Sequence, residues 1–275
     1  MLRYLLVLSR PRFWLYLAGP VLVGVSYAAD TVGELFAPAA VVLFAYFLLP
    51  ANVYLYGVND VFDRDVDETN PKKEGREARY RGGTAVAAVV AACGLLLAPV
   101  AVSLPEQAWP YLAGWVLLAT EYSAPPLRFK TTPLFDSLSN GLYILPGAAA
   151  YAAIAGSHPP LLAVAGAWLW AMGMHTFSAI PDIEPDREAG ITTTATVLGK
   201  ENAFAYCAST WLLSAGVFAF VDYRFGLLLL AYPVLVFGIR RLQVDVDRAY
   251  WWYPAVNTLV GALFTLGGLW GVVHG

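Results

Sequence analysis

Residues 43–70 read LFAYFLLPANVYLYGVNDVFDRDVDETN. Nothing between Leu43 and Val58 carries a charge, and the next twelve residues hold Asp60, Asp63, Asp65, Asp67 and Glu68. A helix needs about 20 apolar residues to cross the hydrocarbon core of a bilayer. The stretch therefore reads as a membrane helix that delivers a knot of carboxylates to one surface of the lipid.

The rest of the chain supports that choice of fold class. Its 275 residues are 59% hydrophobic and 13% charged, with mean hydropathy +0.58. A soluble domain carries roughly 25% charged residues. An all-α integral membrane protein is expected, with residues 1–275 forming a single domain and no nucleic-acid partner. Cys93 and Cys207 sit in apolar runs without metal-ligand spacing, so both read as buried free thiols. FWLYLAGPVLVGVSYAA, residues 13–29, lacks a convincing cleavage site and reads as a retained first span.

Apolar runs predict nine spans near 13–30, 37–58, 84–103, 109–123, 134–155, 160–180, 203–221, 225–239 and 253–272. Turn-rich breaks such as LPEQ, GSHPP and PDIEPDREAG separate several of them. With nine spans, 16 of the 17 basic residues fall on one side, and Arg224 alone falls on the other. Basic loops mark the cytoplasmic face. The expected protein is thus a multi-pass protein of the cell membrane, with its N-terminus and active site cytoplasmic and its C-terminus outside.

Asp60, Asp63 and Asp67 follow i, i+3, i+7 spacing, one face of a helix, with Asn59 beside them and Asn52 two turns deeper. Like charges so placed repel, and a divalent cation would compensate them. Oxygen-only ligands favour Mg²⁺. Taken alone, the spacing equally fits a solvated helix end or ion pairs with Arg64. A second cluster, Asp182 and Asp186 at i, i+4, occupies the cytoplasmic end of the sixth span, although Pro181 and Pro185 make its helical facing uncertain. Two acidic clusters at one membrane surface could hold two Mg²⁺ ions bridging a diphosphate. Arg128 and Lys130 are candidate diphosphate donors at the same face, with Lys72, Lys73 and Arg187 next in order. His175, seven residues before Asp182, is a cavity residue, an acceptor-side base or a histidine bonded within the bundle.

These residues resemble the UbiA superfamily of intramembrane prenyltransferases. Asn59, Asp60, Asp63 and Asp67 match its N-D-x-x-D-x-x-x-D motif, and Asp182 and Asp186 match its D-x-x-x-D motif. YSAPPLRFK, residues 122–130, is similar to its Y-S-x-P-P-L-R-x-K signature, and SRPRFW to the Arg-Pro start of its first span. The resemblance implies a nine-helix bundle around a central cavity, with a cytoplasmic cap over the active site. It implies that the five aspartates are catalytic through Mg²⁺, and that Arg10 and Tyr122 join Asn59 in binding substrate. An isoprenyl diphosphate would ionise, and a hydrophobic acceptor would attack the allylic cation. Trp14, Tyr54 and Tyr56 are aromatic candidates for stabilising that cation.

Many family members follow the first motif with NxxRP, whereas this chain has NPKKEGREARYRGG. The departure is similar to the branch of lycopene elongases, which add dimethylallyl units to a carotenoid. Digeranylgeranylglyceryl phosphate synthase and the aromatic-acceptor enzymes of quinone synthesis are the alternatives. A cation-coupled transporter is the reading from another class. Its site would lie near mid-bilayer on broken helices, whereas these acids lie at span ends.

Overall fold

A computed structural model of the chain describes residues 2–62 and 83–274. Asp63, Asp67, Lys72 and Lys73 lie outside the described residues. Every regular element among the described residues is helical. In chain order the α-helices are α1 Leu2–Leu8, α2 Trp14–Ala28, α3 Pro38–Leu48, α4 Pro50–Phe62, α5 Thr84–Leu95, α6 Leu97–Val102, α7 Trp109–Glu121, α8 Phe135–Leu138 and α9 Leu145–Ala155. They continue with α10 Leu161–Ala179, α11 Ile183–Glu188, α12 Thr194–Val221, α13 Tyr223–Leu229, α14 Ala231–Arg241 and α15 Val246–His274.

Among the described residues, seven helical stretches are long and apolar enough to cross a membrane: 38–62, 84–102, 135–155, 161–188, 194–221, 223–241 and 246–274. They coincide with seven of the nine expected spans. The other two expected spans are the helices α2 and α7, of 15 and 13 residues. Each follows directly on a 3₁₀ turn, Pro11–Phe13 before α2 and Glu106–Ala108 before α7.

The chain divides into two compact units: Met1–Leu127 with Leu145–His158 and Thr265–Gly275, and Arg128–Ile144 with Pro159–Phe264. In the first unit, α2 lies against α9 at a distance only small residues permit. A β-carbon on Gly24 would overlap the Gly147 carbonyl, and one on Gly147 would stand 2.6 Å from the Pro20 carbonyl oxygen. Such close backbone approach is how helices associate where lipid removes the hydrophobic drive. Helix α4 packs on α5 by the same device, with Gly57 under Val90 and Gly94 under the Tyr54 ring. Phe47 and Trp115, both fully buried, meet edge to face at 5.2 Å and fill the space beside α3.

The span 38–62 is broken at Leu49, whose backbone (φ −127°, ψ −62°) is not helical. Pro50 has no N–H to donate and so restarts the helix at its first position. The Asn52 amide repairs the break, donating to the carbonyls of Phe47 (2.9 Å) and Leu48 (3.0 Å). This satisfies backbone acceptors that lipid cannot.

The second unit is built on α10 against α12. Gly173 leaves room for Thr210 and Trp211, and Ser214 donates to the Gly166 carbonyl at 2.7 Å. An aromatic stack fills its core, with Phe177 on Tyr253 at 4.5 Å and Trp211 beside Tyr232 at 5.3 Å. Helix α12 begins with a capping box between Thr193 and Thr196 and bends at Gly199. The backbone there has φ 70°, a conformation that glycine adopts without steric cost.

Candidate functional site

The first acidic cluster enters the structure at the C-terminal end of α4. Asp60 is almost fully buried at 3% exposure. Such burial is tolerable for a carboxylate only beside a cation or donors. The cation is Arg10, whose Nη2 lies 3.6 Å from Asp60 Oδ1 and whose guanidinium stands 4.7 Å above the Tyr56 ring. Arg10 holds a left-handed backbone (φ 49°, ψ 71°) just before Pro11. Its neighbour anchors that turn. Ser9 Oγ donates to the Leu6 carbonyl at 2.7 Å and accepts from Trp14 Nε1 at 3.0 Å.

Asn59 points elsewhere, donating from Nδ2 to Ser123 Oγ at 3.0 Å. This ties the start of the first motif to the segment following α7. Tyr54, one turn earlier, bonds Thr120 at 2.7 Å. Tyr122 caps the end of α7 and is half-buried. Arg10, Tyr56 and Asp60 thus come together in the first unit, and Asn59 is tied to Ser123, the residue after Tyr122. The Asn52 Oδ1, deeper in the same helix, is a buried acceptor with no hydrogen-bond partner among the described residues.

In the second unit, Arg128 opens the 3₁₀ turn Phe129–Thr131 in a left-handed conformation (φ 42°), and its carbonyl accepts from Thr131. Arg128 and Lys130 are both half-buried. The second acidic cluster keeps its spacing despite two prolines. Pro181 falls inside a 3₁₀ turn, Ile180–Asp182, and Pro185 in the first turn of α11, where its missing N–H costs no bond. Asp182 and Asp186 are therefore half-buried one turn apart. Arg187 is engaged within the fold. It donates to Glu184 Oε1 at 3.0 Å and to the Thr196 carbonyl at 2.8 Å, fastening α11 to the start of α12.

Among the described residues, no three His, Cys, Asp or Glu side chains stand close enough to form a metal site. Two of the five motif aspartates lie outside those residues. The donors at both motifs are carboxylate and amide oxygens, without thiolate, and this set fits a hard cation such as Mg²⁺.

One buried acid escaped the motif reading. Asp136, at 1% exposure, sits in α8 at the start of the fifth span. Its Oδ2 accepts from the Thr194 backbone N–H at 2.9 Å, and its Oδ1 accepts a short bond from the Thr194 hydroxyl. The Asn140 amide donates to its carbonyl at 2.6 Å. His175 Nε2 lies 3.7 Å from Asp136 Oδ2. Ser137, the next residue, joins Thr176 and Tyr206 in a polar chain between α8, α10 and α12. The only signal in the sequence is an aspartate beside serines and an asparagine, FDSLSN, inside an apolar run.

The UbiA prenyltransferase family profile matches residues 17–249. Over all 275 residues the chain is 81% identical to a lycopene elongase/hydratase of Halobacterium salinarum, with the whole of both chains covered. It is 68% identical to the lycopene elongase/hydratase of Haloferax volcanii, over 99% of this chain and 90% of that one. Among solved structures, a UbiA homologue of Archaeoglobus fulgidus bound to DMAPP and Mg²⁺ superposes with a TM-score of 0.77 at 22% identity. It covers 98% of this chain and 99% of that one.

Proposed function

The chain belongs to the UbiA prenyltransferase family and is a prenyltransferase; from that premise we propose that it moves a dimethylallyl group from its diphosphate to the end of lycopene. The observation that carries the acceptor assignment is full-length 81% identity to an enzyme of that name. The sequence departure after the first motif, at PKKEG, supports the same branch.

In this reading Asp60, Asp63, Asp67, Asp182 and Asp186 hold two Mg²⁺ ions. Bound Mg²⁺ supplies neutralisation of the charge that gathers on the departing diphosphate. Arg128 and Lys130 bind phosphate oxygens, the first as a planar fork and the second as a point charge. Lys72, Lys73 and Arg187 are secondary candidates for the same task, and Arg187 would add it to its hold on α11. Arg10 pairs with the buried Asp60 and stands over Tyr56, whose ring is a candidate for stabilising the allylic cation. Tyr122 and Asn59 shape the same end of the first unit. The nine-span arrangement and the cytoplasmic cap over one site, with the N-terminus inside and the C-terminus outside, complete the proposal.

The test is purified protein in liposomes with Mg²⁺ and dimethylallyl diphosphate, offered lycopene, geranylgeranylglyceryl phosphate or a quinone precursor. Elongated carotenoid and released diphosphate, both abolished by chelation, are expected with lycopene alone. Prenylation of another acceptor in preference to lycopene overturns the assignment. An ion flux without diphosphate release would point to a transporter.

A further inference from the structure

Resting on the reading of Arg128 and Lys130 as diphosphate donors, we infer that Thr194, directed by Asp136, is a positioning residue for the loop that carries both bases. The loop runs from Arg128 to Leu134 in the second unit, and its backbone is strained at both ends. Arg128 has φ 42°, and Leu134 has φ 69° with ψ −42°. A bulky residue at positive φ is sterically unfavourable and persists only where its surroundings impose the conformation. Burial of the Leu134 side chain does not impose it, because that side chain is 52% exposed.

A single hydroxyl does. Thr194 Oγ1 accepts from the Leu134 N–H at 2.7 Å and donates to Asp136 Oδ1. A threonine hydroxyl has one proton. With that proton directed at Asp136, a lone pair is left for the Leu134 N–H. The Thr194 N–H donates to the other carboxylate oxygen at 2.9 Å, so neither side chain turns without the other. Asp136 and Thr194 are 1% and 5% exposed, and bonds in so dry a place are strong.

The rest of the loop is closed on itself and transmits that anchor. The Thr131 N–H and hydroxyl both donate to the Arg128 carbonyl at 3.1 Å. The Thr132 N–H donates to the Phe129 carbonyl, and the Asp136 N–H to the Thr132 carbonyl, each at 2.9 Å. The Phe129 ring stacks on Phe135 at 5.8 Å.

Thr194 also stands where the second acidic motif is fastened. The Ile191 N–H donates to the Asp186 carbonyl at 2.8 Å, and the Thr196 carbonyl accepts from Arg187. The short stretch 191–196 thus holds the segment of Asp182 and Asp186 on one side and the loop of Arg128 and Lys130 on the other. A diphosphate bound by both segments needs them in fixed register, because small misplacements are costly. Helix capping accounts for Thr193 and Thr196. It does not account for a hydroxyl given to a loop 60 positions earlier in the chain.

The experiment titrates purified protein in detergent with inorganic pyrophosphate and Mg²⁺ by calorimetry, and takes KM and kcat from the liposome assay. Thr194→Val keeps the shape of the side chain and loses the hydroxyl. It should weaken pyrophosphate binding about 10-fold and raise KM for dimethylallyl diphosphate in parallel, with kcat within about twofold of wild type. Thr194→Ser, which keeps the hydroxyl, should match wild type in both. Leu134→Pro removes the loop's N–H and cannot adopt φ 69°, while the buried Asp136–Thr194 pair stays intact. It should show the same loss. A pair that merely pins α8 to α12 would lower the unfolding temperature of Thr194→Val and leave pyrophosphate binding unmoved. Affinity within about twofold of wild type in either folded variant overturns the inference. Since Thr194 acts through the two bases, adding Thr194→Val to Arg128→Ala/Lys130→Ala should cost no more than about a further twofold. A further loss of about 10-fold in that background also overturns it. If Arg128→Ala/Lys130→Ala binds pyrophosphate as wild type does, the reading of the two bases itself fails and the inference falls with it.

Discussion

Asp60 and Asp136 are the two fully buried acids among the described residues, and the protein keeps them in different company. Asp60 lies beside the Arg10 guanidinium, which in turn covers the Tyr56 ring. Asp136 is bonded at both oxygens by one threonine at a helix start, with a histidine over it. A permanent cation beside a buried carboxylate compensates its charge. A helix start whose threonine bonds both oxygens makes a carboxylate a structural fixture. Burial alone does not distinguish these roles, but the donors do.

The comparison is tested most severely by removing the charge at each acid in turn. Asp60→Asn is expected to lower prenyl transfer by on the order of 10³-fold, the scale of losing a principal electrostatic group at a reacting centre. The protein should remain folded and membrane-embedded, which thermal unfolding in detergent checks. Asp136→Asn should instead cost stability first. Its amide oxygen can keep the Thr194 N–H, but its NH2 then meets the Thr194 hydroxyl, which loses its acceptor, and the charge beside the helix start is gone, a loss of about 1–3 kcal/mol. Diphosphate release should persist at the unfolding-corrected level. If Asp60→Asn retained full turnover, or Asp136→Asn abolished ionisation, the contrast between the two acids would collapse.

A smaller effect sharpens the first half of the comparison. Arg10→Lys preserves the charge beside Asp60 and loses the planar group over Tyr56. KM for dimethylallyl diphosphate should rise about threefold to tenfold, in line with roughly 1 kcal/mol for an aromatic–cation contact. An unchanged KM would mean that the ring contact is incidental. Thr194→Val bears on the second half. It removes the hydroxyl that bridges Asp136 Oδ1 and the Leu134 N–H but leaves the backbone bond. About 1 kcal/mol of stability should go, less than for Asp136→Asn, because one of the two anchoring donors survives.

The two acids were not equally legible. Asp60 announces itself, because Asn59, Asp60, Asp63 and Asp67 recur with helical spacing at the end of an uncharged run. Asp182 and Asp186 were legible for the same reason, and the structure keeps them one turn apart. Asp136 has no such signature. Its partners His175 and Thr194 lie 39 and 58 positions away in the chain, and only tertiary packing brings them together. Spans were legible wherever apolar runs are long. The break at Leu49 was not, because a proline in a membrane helix can be absorbed, and only the Asn52 amide shows how this one is. Arg187 read from the sequence as a further candidate for the diphosphate, beside Asp186. Its bond to the Thr196 carbonyl depends on where α12 begins.

The weakest expected effect comes from an acid that resembles neither of the two. Asp222, in the connection between α12 and α13, accepts from both the Arg224 backbone N–H (2.8 Å) and its guanidinium. Those hydrogen bonds hold its carboxyl below the usual range for an aspartate. A lowered folded value means that the group stabilises the folded state above the unfolded value of about 3.9. That contribution disappears as pH falls through the folded value. The pair is open to water and screened by salt, so little is at stake. Asp222→Asn should lower the unfolding temperature slightly at pH 7, by less than any variant above. The difference should shrink as pH falls through the folded value, and in high salt. A difference that instead grew on acidification would show that Asp222 is protonated more readily in the folded protein, against the geometry. Taken with Asp60, which also lies beside an arginine, the result compares an acid paired with an exposed arginine and one almost fully buried beside a half-buried arginine.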